Sequence, residues 1–449
     1  MKRNFTFFLL IIFSSTMLRA SVYYVSVNGN DSNSGTIDKP LASVQKAQEM
    51  VRPGDTVYIR GGRYAMTEED ISRVVHHTNA CLTFLNKSGT QGNRIHYMAY
   101  PGERPVFDFT AVKPAGERVT GFWVQGNYLH LKGIEITGIQ VTIHRHTESY
   151  GIYSWGSHNI FENLSIHDNV GTGLRHRQGG YNLFLNIDSY RNYDSVSEDG
   201  RGGNSDGFGC HPAESGKGNV FRGCRSWFNS DDGYDCIRAR ASITFDHCWS
   251  FFNGYSIQFK SLADGNGFKA GGYNRDDAYM LPDTIPSHVI MFCLAVNNKA
   301  NGFYSNHHLA GDFWYNNSAY RNGNNYNMVN RESRQSKNIN VKGYGHVLKN
   351  NLGYEARGKE IVNVDTSKCI LENNSFDLPV TITDKDFLSL AMKELTAPRK
   401  PDGSLPDIDF MKLVPGSDLI DKGVNIGFPF YGKAPDLGAF EYRPAAHKN

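Results

Sequence analysis

Six stretches in the middle of this chain repeat a pattern that few folds accommodate. An apolar anchor at Phe161, Phe184, Phe221, Phe245, Ile290 and Trp314 is followed eight residues later, every time, by an asparagine: Asn169, Asn192, Asn229, Asn253, Asn298 and Asn322. Three residues after each anchor come Leu164, Ile187, Cys224, Cys248, Cys293 and Asn317. The anchors are 23, 37, 24, 45 and 24 residues apart, so a unit of about 24 recurs and is twice interrupted by extra residues. Short units of that length, bounded by Gly and Asn with no long amphipathic helix between them, predict the coils of an all-β solenoid. An Asn at one place in every coil has two physical uses: it tolerates the left-handed conformation of a turn, and its amide can bond along a ladder of identical residues. Asn169 to Asn322 are therefore expected to form a ladder. Cys224 and Cys248 are expected to stack inside as packing residues rather than as ligands or a disulfide, although seven Cys in an exported chain would ordinarily prompt a search for bridges.

Export is the reading of residues 1–20: Lys2 and Arg3 open it, Phe7 to Phe13 are apolar, and Leu18-Arg19-Ala20 is a cleavage site. No later stretch is apolar for the roughly 20 residues a membrane helix needs, so no membrane span is expected. Removing Lys2, Arg3 and Arg19 takes the formal net charge from +2 to −1. A near-neutral protein has no global field for a polyanion or a nucleic acid, so an acidic substrate must be gripped by a local cluster or a metal. Leu41 to Val51, with Val44, Ala47 and Val51 on one face, reads as a short helix capping the first coil. Residues 21–449 are expected to be one elongated, monomeric domain, periplasmic or extracellular.

A second register lies at a Gly followed by an apolar residue: Gly173-Leu174, Gly207-Phe208, Gly233-Tyr234, Gly267-Phe268 and Gly302-Phe303. The residue before Gly is Thr172, Asp206, Asp232, Asn266 and Asn301 in turn, and the residue after the apolar one is Arg175, Gly209, Asp235, Lys269 and Tyr304. With adjacent coils about 4.8 Å apart, Asp206 stacks on Asp232 and Asp235 sits one rung from Lys269. Together with Asp231, four carboxylates converge. They would raise one another's pKa unless a cation binds among them, and oxygen-only ligation favours Ca²⁺. Taken alone, Asp231-Asp232-Gly233 could be a plain turn, and a lone Lys is usually a solvated charge. In register with the acids, Lys269 neighbours the expected cation, which disfavours its protonated form and suits it to act as a general base. Lys260 is the rival base. His144, Arg145 and His146, with Arg175, His176 and Arg177, are the dense basic clusters of the central coils. They suit either a carboxylate-binding subsite or surface ion pairs.

Asn204-Ser205-Asp206-Gly207-Phe208, Asn229-Ser230-Asp231-Asp232-Gly233-Tyr234-Asp235 and Gly265-Asn266-Gly267-Phe268-Lys269-Ala270-Gly271-Gly272 resemble polysaccharide lyase family 9 over nearly the whole mature chain. Gly29 to Thr36 and Pro53 to Val57 resemble the N-terminal segment of pectate-lyase-like β-helix proteins, and Ser417 to Gly423 and Pro435 to Glu441 their closing segment. The resemblance implies a right-handed parallel β-helix, a Ca²⁺ held at Asp206, Asp231, Asp232 and Asp235, and Lys269 as the base of a β-elimination on a galacturonate-containing pectic backbone. Homogalacturonan and rhamnogalacturonan I both fit. The small net charge and 12% aromatic residues lean toward the second, whose neutral sugars offer faces for rings. Tyr234 and Tyr304 stand as substrate-binding residues or as the acid that protonates the leaving oxygen, a role water could also fill. The alternatives are a polygalacturonase-type hydrolase, which would work with carboxylic acids and no Lys, and a non-catalytic glycan-binding β-helix.

Overall fold

The computed structural model describes residues 20–76, 78–145, 148–273, 281–334 and 339–443. All but Ala20 of the expected export signal, and His146 of the basic cluster, lie outside them. Three long sheets of twelve, ten and eleven strands run side by side, parallel except for the end strand Arg73–Val75 of the third, and successive strands of the chain visit them in rotation. One coil, for example, contributes Ile160–Glu162 to the first sheet, Ser165–His167 to the second and Thr172–His176 to the third. The anchors pair rung upon rung in the first sheet, Phe161 with Phe184, Phe184 with Phe221 and Phe221 with Phe245. Their rings stack at 5.0, 4.2 and 5.3 Å. This is the expected parallel β-helix, with one apolar core along its axis.

The asparagine ladder is present at the corner between the second and third sheets. Each amide nitrogen from Asn169 to Asn298 donates to the next carbonyl oxygen at 2.9–3.0 Å, and all six residues are buried. One part of the expectation is corrected. The ladder Asn is not itself left-handed; the residue before it is, and Asp168, Arg191, Phe228, Phe252, Asn297 and Arg321 take φ of 47–60°. A bulky residue such as Phe does not choose that region by itself, so the flanking amides impose it. Cys224 and Cys248 are buried in the core, and all seven cysteines are free thiols.

The N-terminal helix (α1, Val44–Met50) is capped by the Ser43 hydroxyl, which accepts from the Lys46 N–H at 3.0 Å, and it buries Val44 and Ala47 beside Val25 and Leu82. The C-terminal segment departs from a simple cap. Leu371 and Phe376 touch the core, but Phe387, Leu395, Phe410, Leu413, Leu419 and Leu437 lie along the outer face of the second sheet on Trp249, Phe251, Leu294, Val296, Tyr320 and Leu352. Arg225 fastens it, bonding Asp188 on one side and the carbonyls of Leu395 and Ala397 on the other. Among the described residues no helix is long and apolar enough to cross a membrane.

Candidate functional site

In the third sheet the residue after each Gly points inward. Phe208, Tyr234, Phe268 and Phe303 stack at 4.9, 4.7 and 5.2 Å, and by the pleat their successors point outward. The outward column runs Tyr153, Arg175, Gly209, Asp235, Lys269, Tyr304 and Asn327. The residues before the Gly form a second ladder at the sheet's edge. Asp206 Oδ1 accepts the Asp232 N–H at 3.1 Å, Asp232 Oδ1 accepts the Asn266 amide at 2.8 Å, and Asn266 Oδ1 accepts that of Asn301 at 2.8 Å. An amide ladder whose first two rungs are acids converts a structural device into a charged one.

Asp206, Asp232 and Asp235 can each turn one oxygen to within 4.8 Å of the others, and all three are buried. Asp231 stands beside this trio rather than in it, with its oxygens accepting the backbone N–H groups of Asn204 at 2.8 Å and Asp264 at 3.0 Å. Burial, then the neighbouring charge of Asp235, holds the Asp206 carboxyl well above the usual range; burial, then Asp232, pushes Asp231 up to about 8. Asp232 Oδ2 receives no hydrogen bond from any amide or backbone group. The Lys269 ammonium lies 2.9 Å from it and 3.2 Å from Asp235 Oδ2. Burial alone would lower the Lys269 pKa, but Asp232, Asp235, Asp231 and Asp206 outweigh it and raise it, against the fall expected from the sequence. That fall needs the charge of a cation, and three carboxylates with an oxygen each within 4.8 Å of the others supply part of the oxygen donor set that a hard divalent ion takes.

The other sequence candidates separate. Tyr234 is fully buried in the ring stack with its hydroxyl toward the Trp249 carbonyl at 3.4 Å, so it presents nothing to a substrate. His176 is likewise buried, bonded to the Gly179 carbonyl at 2.7 Å and pushed by burial to about 4; it is a packing residue. Arg175 faces outward, ion-paired with Glu148 and donating to the Tyr150 hydroxyl at 3.1 Å, while its buried Nε has no partner; burial and then Arg177 lower its pKa to about 10. Arg177 follows it, half-buried. Between Arg175 and Asp235 the column has no side chain of its own at Gly209; His211 and Arg175 lean over it, and a Cβ there would meet them at 3.0 and 3.2 Å. Tyr304 bonds His307 at 2.9 Å, and burial raises its pKa to about 12. Lys260 is exposed on the loop before Asn266, and His144 and Arg145 lie in the loop before Glu148. Glu148 went unread in the sequence because it belongs to no repeat; Asn266 and Asn301 stood in the register but had no assigned role.

A second buried group, His288, His308 and Asp312, has spacing suited to a metal but the wrong hydrogen bonds. His288 and Asp312 continue the ladder of Asn159, Asn182 and Asn219 at another corner, where each side chain accepts a backbone N–H, and His308 packs beside them. His288 Nδ1 accepts from Ile243 at 3.2 Å, His308 Nδ1 from Gly272 at 3.1 Å, and Asp312 Oδ1 from His288 at 2.8 Å. An imidazole accepting at Nδ1 carries its proton on Nε2, which is then a donor and not a ligand.

Residues 23–351 match the family described as Pel9A-like, right handed beta helix region. Pectate lyase L of Dickeya dadantii is 34% identical over 427 residues, which cover 94% of this chain and 90% of that one. A solved structure described as rhamnogalacturonan lyase superposes with a TM-score of 0.84 at 44% identity, covering 88% of this chain and 97% of its own. The crystal structure of pectate lyase Pel9A gives 0.76 at 33% identity, covering 94% and 96%.

Proposed function

Because the chain belongs to the Pel9A-like right-handed β-helix family and is a polysaccharide lyase, we propose that it is exported and cleaves a galacturonate-containing pectic backbone by calcium-dependent β-elimination. Residues 21–449 would act as one lyase domain, monomeric, in the periplasm or outside the cell. The observation that carries the reading is Lys269, in register with Asp235 and within 2.9–3.2 Å of two of three clustered carboxylates.

Asp206, Asp232 and Asp235, with Asp231 adding its charge beside them, would hold Ca²⁺. When bound, it offsets the carboxylates and neutralises the substrate carboxylate beside the carbon that loses its proton. Lys269 in its neutral form would take the proton from C5, the electron pair would form the C4–C5 double bond, and the C4–O bond would break with its pair on the oxygen, which takes a proton from Tyr304 or water as the next sugar leaves. The product is 4,5-unsaturated. Arg175 and Arg177, beyond Gly209, would meet a further carboxylate, with Arg175 exchanging its pairing with Glu148, and Tyr304 would line the other side. Rhamnogalacturonan I is favoured over homogalacturonan, since the structure described as rhamnogalacturonan lyase is the more similar, at 44% against 33%.

The test is incubation with each polymer, with and without chelator, following the ultraviolet absorbance of unsaturated product. The reading predicts absorbance that chelation abolishes and added calcium restores. New reducing ends without absorbance would refute it.

A further inference from the structure

We propose that Asn301, Asn324, Asn327 and Asn363 form a subsite for a neutral sugar, the neighbour of the acidic sugar that reacts at Lys269; this rests on the lyase reading above and names what its groove selects. The first observation is local. The strand Asn324–Asn327 reads Asn-Asn-Tyr-Asn, and Asn is depleted in strands, so sequence and structure disagree there as they do at functional sites. The second is position. The other amide ladders are buried at the corners, whereas Asn324 and Asn327 are half-buried and Asn363 is exposed. Asn327 stands in the outward column of Lys269 and Tyr304, two rungs or about 10 Å beyond the base.

The third observation is direction. Asn363 donates to Asn327 at 2.8 Å, Asn327 and Asn324 each donate to Asn301 at 3.1 Å, and Asn301 passes the chain through Asn266 to the carboxylate of Asp232. Every amide spends one N–H toward Asp232. The second N–H of Asn324, Asn327 and Asn363 has no acceptor among the described residues, and it can serve a ligand. Such groups suit sugar hydroxyls, which both donate and accept. They suit a carboxylate poorly, because the outward residues beyond Lys269, namely Tyr304, Asn327 and Val362, include no cation to meet its charge. On the other side of the carboxylates stand Arg175 and Arg177. The Asn set thus puts a neutral-sugar site beside the reacting acidic sugar, and Arg175, three rungs or about 14 Å on the other side of Lys269, lies far enough away to meet the acidic sugar after next, the order of an alternating backbone.

The test compares kcat/KM for unsaturated product on the alternating backbone and on homogalacturonan, for the wild type, Asn327→Ala and Asn363→Ala, each checked by thermal unfolding. Asn363 is exposed, so its variant folds irrespective of the subsite. The expected result for Asn327→Ala is a loss on the alternating polymer about tenfold larger than on homogalacturonan, the weight of one directed hydrogen bond. Asn363→Ala should shift the ratio the same way by a smaller factor. Equal losses on both polymers, or a larger loss on homogalacturonan, would overturn the subsite. Calorimetric binding of oligosaccharides from each polymer to Lys269→Ala, with and without Asn327→Ala, separates this from the lyase reading. If the wild type makes no unsaturated product, the lyase reading fails, and an unchanged binding preference in the double variant overturns the subsite on its own terms.

Discussion

The outer faces of the second and third sheets are built by the same coils, yet they have been put to opposite uses. On the second, Trp249, Phe251, Leu294, Val296, Tyr320 and Leu352 are sealed under the C-terminal segment, and the deeply buried guanidinium of Arg225 bonds Asp188 and two backbone carbonyls. On the third, three buried carboxylates cluster beside one lysine, Asp232 Oδ2 is met by the Lys269 ammonium and by no amide, Arg175 Nε lacks a hydrogen-bond partner, and Gly209 adds no side chain to the column. A parallel β-helix delivers identical columns to each face, and only the residues placed in them decide between packing and chemistry. One face holds the molecule together; the other draws on that stability to keep like charges close.

The sharpest break of this contrast on the stability side is Phe410→Ala. Phe410 is fully buried against the second sheet, so the change should cost about 3–5 kcal/mol in unfolding free energy. Activity per folded molecule should stay as it was, since the third face is untouched. Parallel loss of specific activity would show that the two faces are not separable.

A smaller effect is expected from Asn253→Ala in the ladder both faces share. Its oxygen accepts from Asn229 and its amide donates to Asn298, each at 3.0 Å, so unpaired buried groups should cost about 1–3 kcal/mol by denaturant titration. A neutral result would show that the ladder is incidental.

The smallest effect has the opposite sign. Asp206→Asn keeps the acceptor for the Asp232 N–H and removes one of the crowded charges, so without metal it should stabilise the protein by about 0.5–2 kcal/mol while abolishing activity. The pH dependence follows. Burial and neighbouring acids raise the Asp206 and Asp231 carboxyls above their unfolded values, so these groups weaken the metal-free fold as pH rises from about 4 through neutrality, and Asp231 stops changing above about 8. Calcium should reverse the order, stabilising the wild type but not the variant. Melting curves at pH 5 and 7.5 check both; a metal-free wild type no less stable at the higher pH would contradict the account.

How much of this could be read in the sequence depended on what repeats. The asparagine ladder and the column of Asp235 and Lys269 were legible because identical or complementary residues recur at fixed offsets. The left-handed corner was not, because Asp168, Arg191, Phe228, Phe252, Asn297 and Arg321 share no chemistry and take that conformation only under the ladder's constraint. Tyr234 was misplaced because the Gly register alone does not say which side of the pleat is inward; its stack with Phe208 and Phe268 does. The C-terminal segment lies on the second sheet rather than at the end because its apolar residues match a column of exposed rings, a fit between two distant parts of the chain with no periodic signal.

Whether the third face carries a lysine base is decided by the rate at which Lys269→Ala and Lys269→Arg form unsaturated product. Removing a positioned base should lower the rate by roughly 10²–10⁴, and arginine, which keeps the charge but cannot give up its proton, should be almost as damaging. In the wild type the rate should climb with pH, because the surrounding carboxylates favour the protonated amine. A Lys269→Arg protein that forms unsaturated product at a near-normal rate would contradict the account, showing that the position supplies charge alone and that the proton leaves by another group.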